Sequence, residues 1–147
     1  MGTLLDTTVF IDLERAVRLL PPEGATAEVS GRLDEQPRPD EETGIAAITA
    51  AGLLHGVHRA APEGRDRREA FIKAALEAFP PLPSGLLAAR AHARIWAGLA
   101  AAGHDVGAPD RLIAATAITA RWRAGTANLR YFDRIVGLDI LTITFTG

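Results

Sequence analysis

Two aspartates are the first residues whose type and setting could do chemistry. Asp6 follows the apolar pair Leu4-Leu5 directly, and Asp110 follows Pro109 at the head of an apolar, alanine-rich run. Carboxylates drawn from separate segments suit a hard divalent cation such as Mg2+ or Mn2+, because such ions prefer oxygen ligands and retain several waters. A cation held that way lowers the pKa of a bound water, orients it for attack and neutralises charge on a phosphodiester. Each acid also has an ordinary reading. Asp6 could cap or turn the chain after a strand, and an Asp at a helix start is a common N-cap worth roughly 1 kcal/mol. On residue chemistry alone the capping reading of Asp110 is the stronger.

Gly52 is unusual in its place. With Thr49 as N-cap, position 52 is the third helical residue, where Glu or Gln completes a capping box. Glycine there costs roughly 1 kcal/mol against alanine. Either close packing against another backbone demands it, or an acid has been lost. His55 and His58 lie three apart on one helix without a third nitrogen or thiolate partner, and they read as a solvated face. His92 and His104 are isolated and suit surface or capping roles, and Asp133 reads as a surface charge. No Gly-rich phosphate loop is present.

The elements that must position these residues follow from apolar spacing. A short strand over 3–5 enters Asp6, and Thr8 is the candidate cap of a helix bearing Val9, Phe10, Leu13 and Val17, stopped by Pro21-Pro22. Residues 23–43 carry seven acids with Gly and Pro, and predict an irregular connection with a helical turn near 27–33. A buried strand over 45–48 leads to a Thr49-capped helix reaching about Ala60. A helix over 67–79 ends at Pro80-Pro81-Leu82-Pro83. Ser84 caps an alanine-rich helix with the stripe Leu87, Ala91, Ile95 and Leu99, closed by Gly103. Asp110 opens a helix to about Trp122, a strand of low β propensity follows over 125–127, and an alternating strand covers 138–145. Strands separated by helices predict an α/β fold with a parallel sheet, whose ligands gather at the carboxyl ends of the strands.

A chain of 147 residues fits one domain spanning 1–147. It has no cysteine, which excludes disulfides and thiolate metal sites. No apolar run is long enough to cross a bilayer and no basic-then-apolar leader opens the chain, so no membrane association and a cytoplasmic location are expected. The net charge of −2 divides unevenly: residues 84–147 hold 4 acids and 7 bases, all Arg, against 14 acids and 9 bases before them. Such a division suits a metal site beside a phosphate-binding face.

Four blocks together carry a resemblance. They are Leu4-Leu5-Asp6-Thr7-Thr8; Ile48-Thr49-Ala50-Ala51-Gly52-Leu53-Leu54-His55-Gly56-Val57; Pro109-Asp110-Arg111-Leu112-Ile113-Ala114-Ala115-Thr116-Ala117; and Thr126-Ala127-Asn128-Leu129-Arg130-Tyr131-Phe132. In this order and spacing the chain resembles the PIN-domain ribonucleases, most closely toxins of the VapC type. The resemblance implies a three-layer α/β/α fold around a central parallel sheet. It implies a Mg2+- or Mn2+-dependent endoribonuclease, homodimeric through its alanine-rich helices, and silenced by a VapB-type antitoxin that can place an Arg in the acidic site. It makes Asp6 and Asp110 metal ligands and catalytic residues, lets Asn128 reach a metal-bound water, and gives the Thr8 and Thr126 hydroxyls supporting roles. Arg90, Arg94, Arg111 and Arg130 become candidate grips on RNA. This chain departs from the pattern twice, with Gly52 where the family carries Glu and Arg111 where an apolar residue is usual. Tyr131 also stands where an acid is frequent. The resemblance therefore implies impaired cleavage or, alternatively, a catalytically inactive PIN-fold module binding antitoxin or RNA.

Overall fold

The computed structural model describes residues 2–17 and 41–143. The stop expected at Pro21-Pro22, most of the connection over 23–43 and the end of the last strand at Phe145 lie outside the described residues. Gly2–Leu5 (β1) enters Thr7–Val17 (α1). Glu42–Ala46 (β2) enters Ala47–Arg59 (α2), which is followed by Pro62–Ala78 (α3) and Pro81–Leu82 (β3). Leu86–Ala101 (α4) and Ala108–Ala120 (α5) precede Arg123–Thr126 (β4), the single turn Leu129–Phe132 (α6) and Ile140–Thr142 (β5). All five strands are parallel, in the order β3-β2-β1-β4-β5.

Successive side chains on a strand point to opposite faces, and the two cores follow from that. Leu5 and Ile45 join Phe10 and Leu13 of α1, Leu53 of α2 and Phe71 and Ile72 of α3 on one face. Leu4, Ala46 and Ala124 join Leu99 of α4, Ile113 and Ala117 of α5 and Phe132 of α6 on the other. The three-layer α/β/α arrangement is thus the one expected. At the amino ends of the central strands, Arg123 pairs with Glu41 at 2.6 Å while the Thr3 hydroxyl donates to the same carboxylate, also at 2.6 Å. This clasp joins β1, β4 and the residue before β2 at the sheet end opposite Asp6.

Several boundaries differ from the sequence reading. β2 begins at Glu42, inside the span expected to be irregular, and α2 follows it without a gap. Its N-cap is therefore Ala46, with no side-chain hydrogen bond, and Thr49 is already in the helix with its hydroxyl buried. Thr8 does not cap α1 either, because Asp6 does. Ser84 fails as a cap because its hydroxyl meets that of Thr116 at 3.2 Å, and α4 starts after Gly85. The buried stripe of α4 is Ala88, Ala91 and Leu99 with Ile95 partly buried; Leu87 is 70% exposed, since a strict four-residue repeat drifts off a 3.6-residue turn. α3 starts five residues early, at Pro62, a residue tolerated in the first turn because its missing N–H has no partner to lose. Pro81 ends that helix but also opens the edge strand β3, where a proline is permitted. β4 shifts to Arg123–Thr126. At Gly125 an added Cβ would lie 2.8 Å from Thr3 and from Ile143, so tight strand packing, not β propensity, selects the residue.

Candidate metal centre

Asp6 ends β1, the middle strand, and its carboxylate is buried at 2% exposure. Oδ1 accepts the Thr8 hydroxyl at 2.6 Å and the Val9 amide at 3.2 Å, and Oδ2 accepts the Thr126 hydroxyl at 2.6 Å. The two threonines in turn accept backbone amides of the loop after β4, Thr8 from Ala127 at 3.1 Å and Thr126 from Asn128 at 3.0 Å. Each hydroxyl is thus oriented, with its hydrogen toward Asp6. The carboxylate is fixed in one pose, and acceptor capacity remains on Oδ2. Asp6 caps α1 and is presented to the site at once, so the two readings of this residue are not exclusive.

Asp110 stands in the first turn of α5, two residues beyond the start at Ala108. The helix is capped by Gly107 without a side-chain bond, and the Asp110 carboxylate caps nothing among the described residues. The expectation that favoured a cap on residue chemistry alone is therefore corrected: Pro109 and Asp110 both lie inside the helix. Burial raises the Asp6 carboxyl above its ordinary value, against hydrogen bonds that lower it. Burial raises Asp110 as well, and the charge of Asp6 raises it further. Two acids from distant segments thus come near each other at the carboxyl end of the sheet, and neither forms an ion pair among the described residues. Oxygen donors with uncompensated charge suit a hard divalent cation, with water completing its shell. Among the described residues no third Asp, Glu, His or Cys joins them in a group able to hold a metal.

The remaining candidates divide. Thr8 and Thr126 both hydrogen-bond the Asp6 carboxylate. Asn128 is exposed and its Oδ1 accepts the Arg130 amide at 3.2 Å, capping α6. Tyr131 packs against the second core, beneath the Arg130 guanidinium. Gly52 is exposed on α2, and a Cβ there would meet nothing within 4 Å. That removes close packing as its reason. It is not in the capping-box position either, because α2 begins at Ala47. One turn earlier, the Thr49 hydroxyl is buried without a hydrogen-bond partner. Arg90 and Arg94 are exposed on α4, where Arg94 lines an open cavity of about 440 Å3 with Ile95, Leu99 and Arg134. His55 and His58 are exposed, as expected.

Arg111 departs from expectation. Its guanidinium lies 4.6 Å from the centre of the Trp96 ring, its Nε donates to His92 Nε2 at 3.2 Å, and another of its N–H groups bonds the Val106 carbonyl. These contacts hold it inside the fold. Sequence reading missed Trp96 and took His92 as isolated; their four-residue spacing, which puts them side by side on a helix, was the available signal.

The PIN domain family model matches residues 3–138. The chain belongs to the PIN-domain family. Within that family it is of the VapC type. It is 34% identical over 145 residues to ribonuclease VapC1 of Rickettsia felis, covering 98% of both chains. It is 31% identical over 145 residues to ribonuclease VapC of Rickettsia bellii, covering 97% of both. DNA-bound VapBC from Salmonella typhimurium superposes with a TM-score of 0.77 at 26% identity, covering 98% of this PIN domain and 99% of that chain. VapBC2 of Rickettsia felis, bound to a promoter DNA fragment, has the same fold at a TM-score of 0.78 and 20% identity, over 97% and 98% of the two chains. No described helix is long and apolar enough to cross a membrane.

Proposed function

We propose that this PIN domain is a divalent-cation-dependent endoribonuclease toxin of the cytoplasm, attenuated at Gly52 and held silent by a VapB-type antitoxin. The observation that carries the reading is the buried Asp6 carboxylate, fixed by Thr8 and Thr126 at the end of the middle strand, with Asp110 near it and no cationic side chain paired to either acid among the described residues. Two relatives named as ribonucleases, similar over nearly the whole chain, support the reaction class. VapBC complexes among the similar folds support an antitoxin partner.

Mg2+ or Mn2+ would be held by Asp6 and Asp110, and when bound it supplies charge neutralisation at the phosphodiester and an acidified water. Thr8 and Thr126 hold the Asp6 carboxylate in place before substrate arrives, so no reorganisation is needed at the reaction. Arg90, Arg94 and Arg130 attract the RNA backbone through exposed charge. An antitoxin arginine docking on the two acids would replace the cation's charge and exclude it. The outward ridge of α4, with Leu86, Ala93, Ala97 and Ala100 exposed, is the homodimer contact, because small side chains permit close approach.

Attenuation follows from the donor count. A glutamate at 52 would lie three residues from Thr49, on a neighbouring part of the same helix surface, and would offer an acceptor close to the partnerless hydroxyl as well as a third carboxylate. With two acids the cation is held weakly. A second reading, a silent module binding antitoxin or RNA, draws support from the same shortage. RNA cleavage with Mg2+ or Mn2+ separates them. We expect slow cleavage by this chain, abolished by Asp6→Asn or Asp110→Asn, and faster cleavage by Gly52→Glu. No cleavage by either the chain or the Gly52→Glu protein, both folded, would favour the silent module.

A further inference from the structure

We infer that Trp96, held by Arg111 and His92, is a base-stacking subsite for single-stranded RNA beside the two acids; the inference rests on the ribonuclease reading above. Trp96 is 56% exposed, yet its ring is held by two neighbouring side chains. The Arg111 guanidinium lies over it at 4.6 Å, and the His92 ring is nearly parallel to it, at 17° and a centroid separation of 5.9 Å. A large apolar ring left half in water while its orientation is fixed is preorganised for a flat partner. Nucleobases are such partners, and an aromatic platform accepts them whatever their sequence.

Position favours RNA over a second protein. Trp96 and His92 share one shoulder of α4, toward the first turn of α5, whereas Leu86, Ala93 and Ala97 form the outward ridge. Arg111, the residue that holds the indole, follows Asp110 directly in that turn. A base on Trp96 would therefore set the register of the strand passing the acids. Arg111 is a positioning residue in this arrangement. Its cation is spread over the indole, the Val106 carbonyl and the His92 nitrogen, which keeps it off Asp110. His92 accepts at Nε2, so the neutral ring carries its proton on Nδ1 and retains a donor for the edge of a base.

The test is equilibrium binding of a short fluorescein-labelled single-stranded oligoribonucleotide of mixed sequence to the intact chain without divalent cation. Anisotropy gives affinity, and indole fluorescence reports stacking. We expect oligonucleotide to quench Trp96, Trp96→Ala to weaken binding about tenfold or more with the salt dependence unchanged, and Trp96→Phe to keep most of the affinity. Arg111→Ala should reduce affinity while sparing the fold. Unchanged affinity in Trp96→Ala would overturn the subsite and leave the ribonuclease reading standing. Absence of RNA binding by every variant would remove that reading and the subsite with it. Loss of binding together with conversion of a dimer to a monomer on Trp96→Ala would assign the indole to a protein interface and overturn the proposal.

Discussion

Asp6 caps α1 with the same carboxylate that is proposed to hold the cation, and that sets how it can be altered. Removing it in Asp6→Ala takes the acceptor from the Thr8 and Thr126 hydroxyls and the Val9 amide, a loss we expect to cost about 2–3 kcal/mol in denaturant unfolding. Asp6→Asn keeps an acceptor and should cost less, which makes it the proper control for chemistry. Both site acids have raised values, chiefly through burial, so between the ordinary and the raised value the folded chain binds more protons than the unfolded one. Stability of the cation-free protein therefore falls as pH rises through that window. Thermal melts in chelator should show this fall, and Asp110→Asn should flatten it. Added Mg2+ should raise the melting temperature at neutral pH, with the increment fading on acidification through the same window. Asp6 and Asp110 were singled out in the sequence chiefly by the family resemblance of the blocks around them, since residue chemistry alone read Asp110 as a cap. The Trp96–His92–Arg111 array was not, because it forms only when two helices meet.

Elements were legible where one periodicity dominated and illegible where local rules competed with packing. α5 and α1 were found because their apolar residues recur at helical spacing. Thr49 and Ser84 looked like caps, but the Thr49 hydroxyl is buried without a partner, the Ser84 hydroxyl meets that of Thr116, and apolar strand residues lead straight into α2. β4 was expected two residues late, over 125–127, because Gly125 is chosen by the closeness of Thr3 and Ile143, which no propensity encodes. Gly52 presents the opposite case: nothing crowds it, so Gly52→Ala should stabilise the chain by about 1 kcal/mol through α2 alone, read from chemical denaturation. A neutral or destabilising result would mean the residue has a packing role after all. At the other end of the sheet, Glu41→Ala leaves the partly buried Arg123 without its carboxylate and should cost about 2–3 kcal/mol, well above a surface ion pair.

At the scale of the molecule, the parallel sheet places its acids at one end and its Arg123–Glu41 clasp at the other, so the clasp can be altered without touching the site. The layer order was readable from alternating strands and helices; which arginines are engaged inside the fold was not, as the contacts of Arg111 and Arg123 show. Assembly through the α4 ridge predicts that Ala97→Arg converts a dimer to a monomer in sedimentation, and an unchanged sedimentation coefficient would exclude that ridge. In the proposed site, Asp6 and Asp110 form a cation centre short of one ligand at position 52. Calorimetric titration with Mn2+ tests it most directly, using this chain, Gly52→Glu, and Gly52→Glu combined with Asp6→Asn. We predict weak binding by the chain, about tenfold or more tighter binding by Gly52→Glu, and its loss when Asp6→Asn is added. Equal affinity of the chain and Gly52→Glu, or binding that survives without Asp6, would contradict the account.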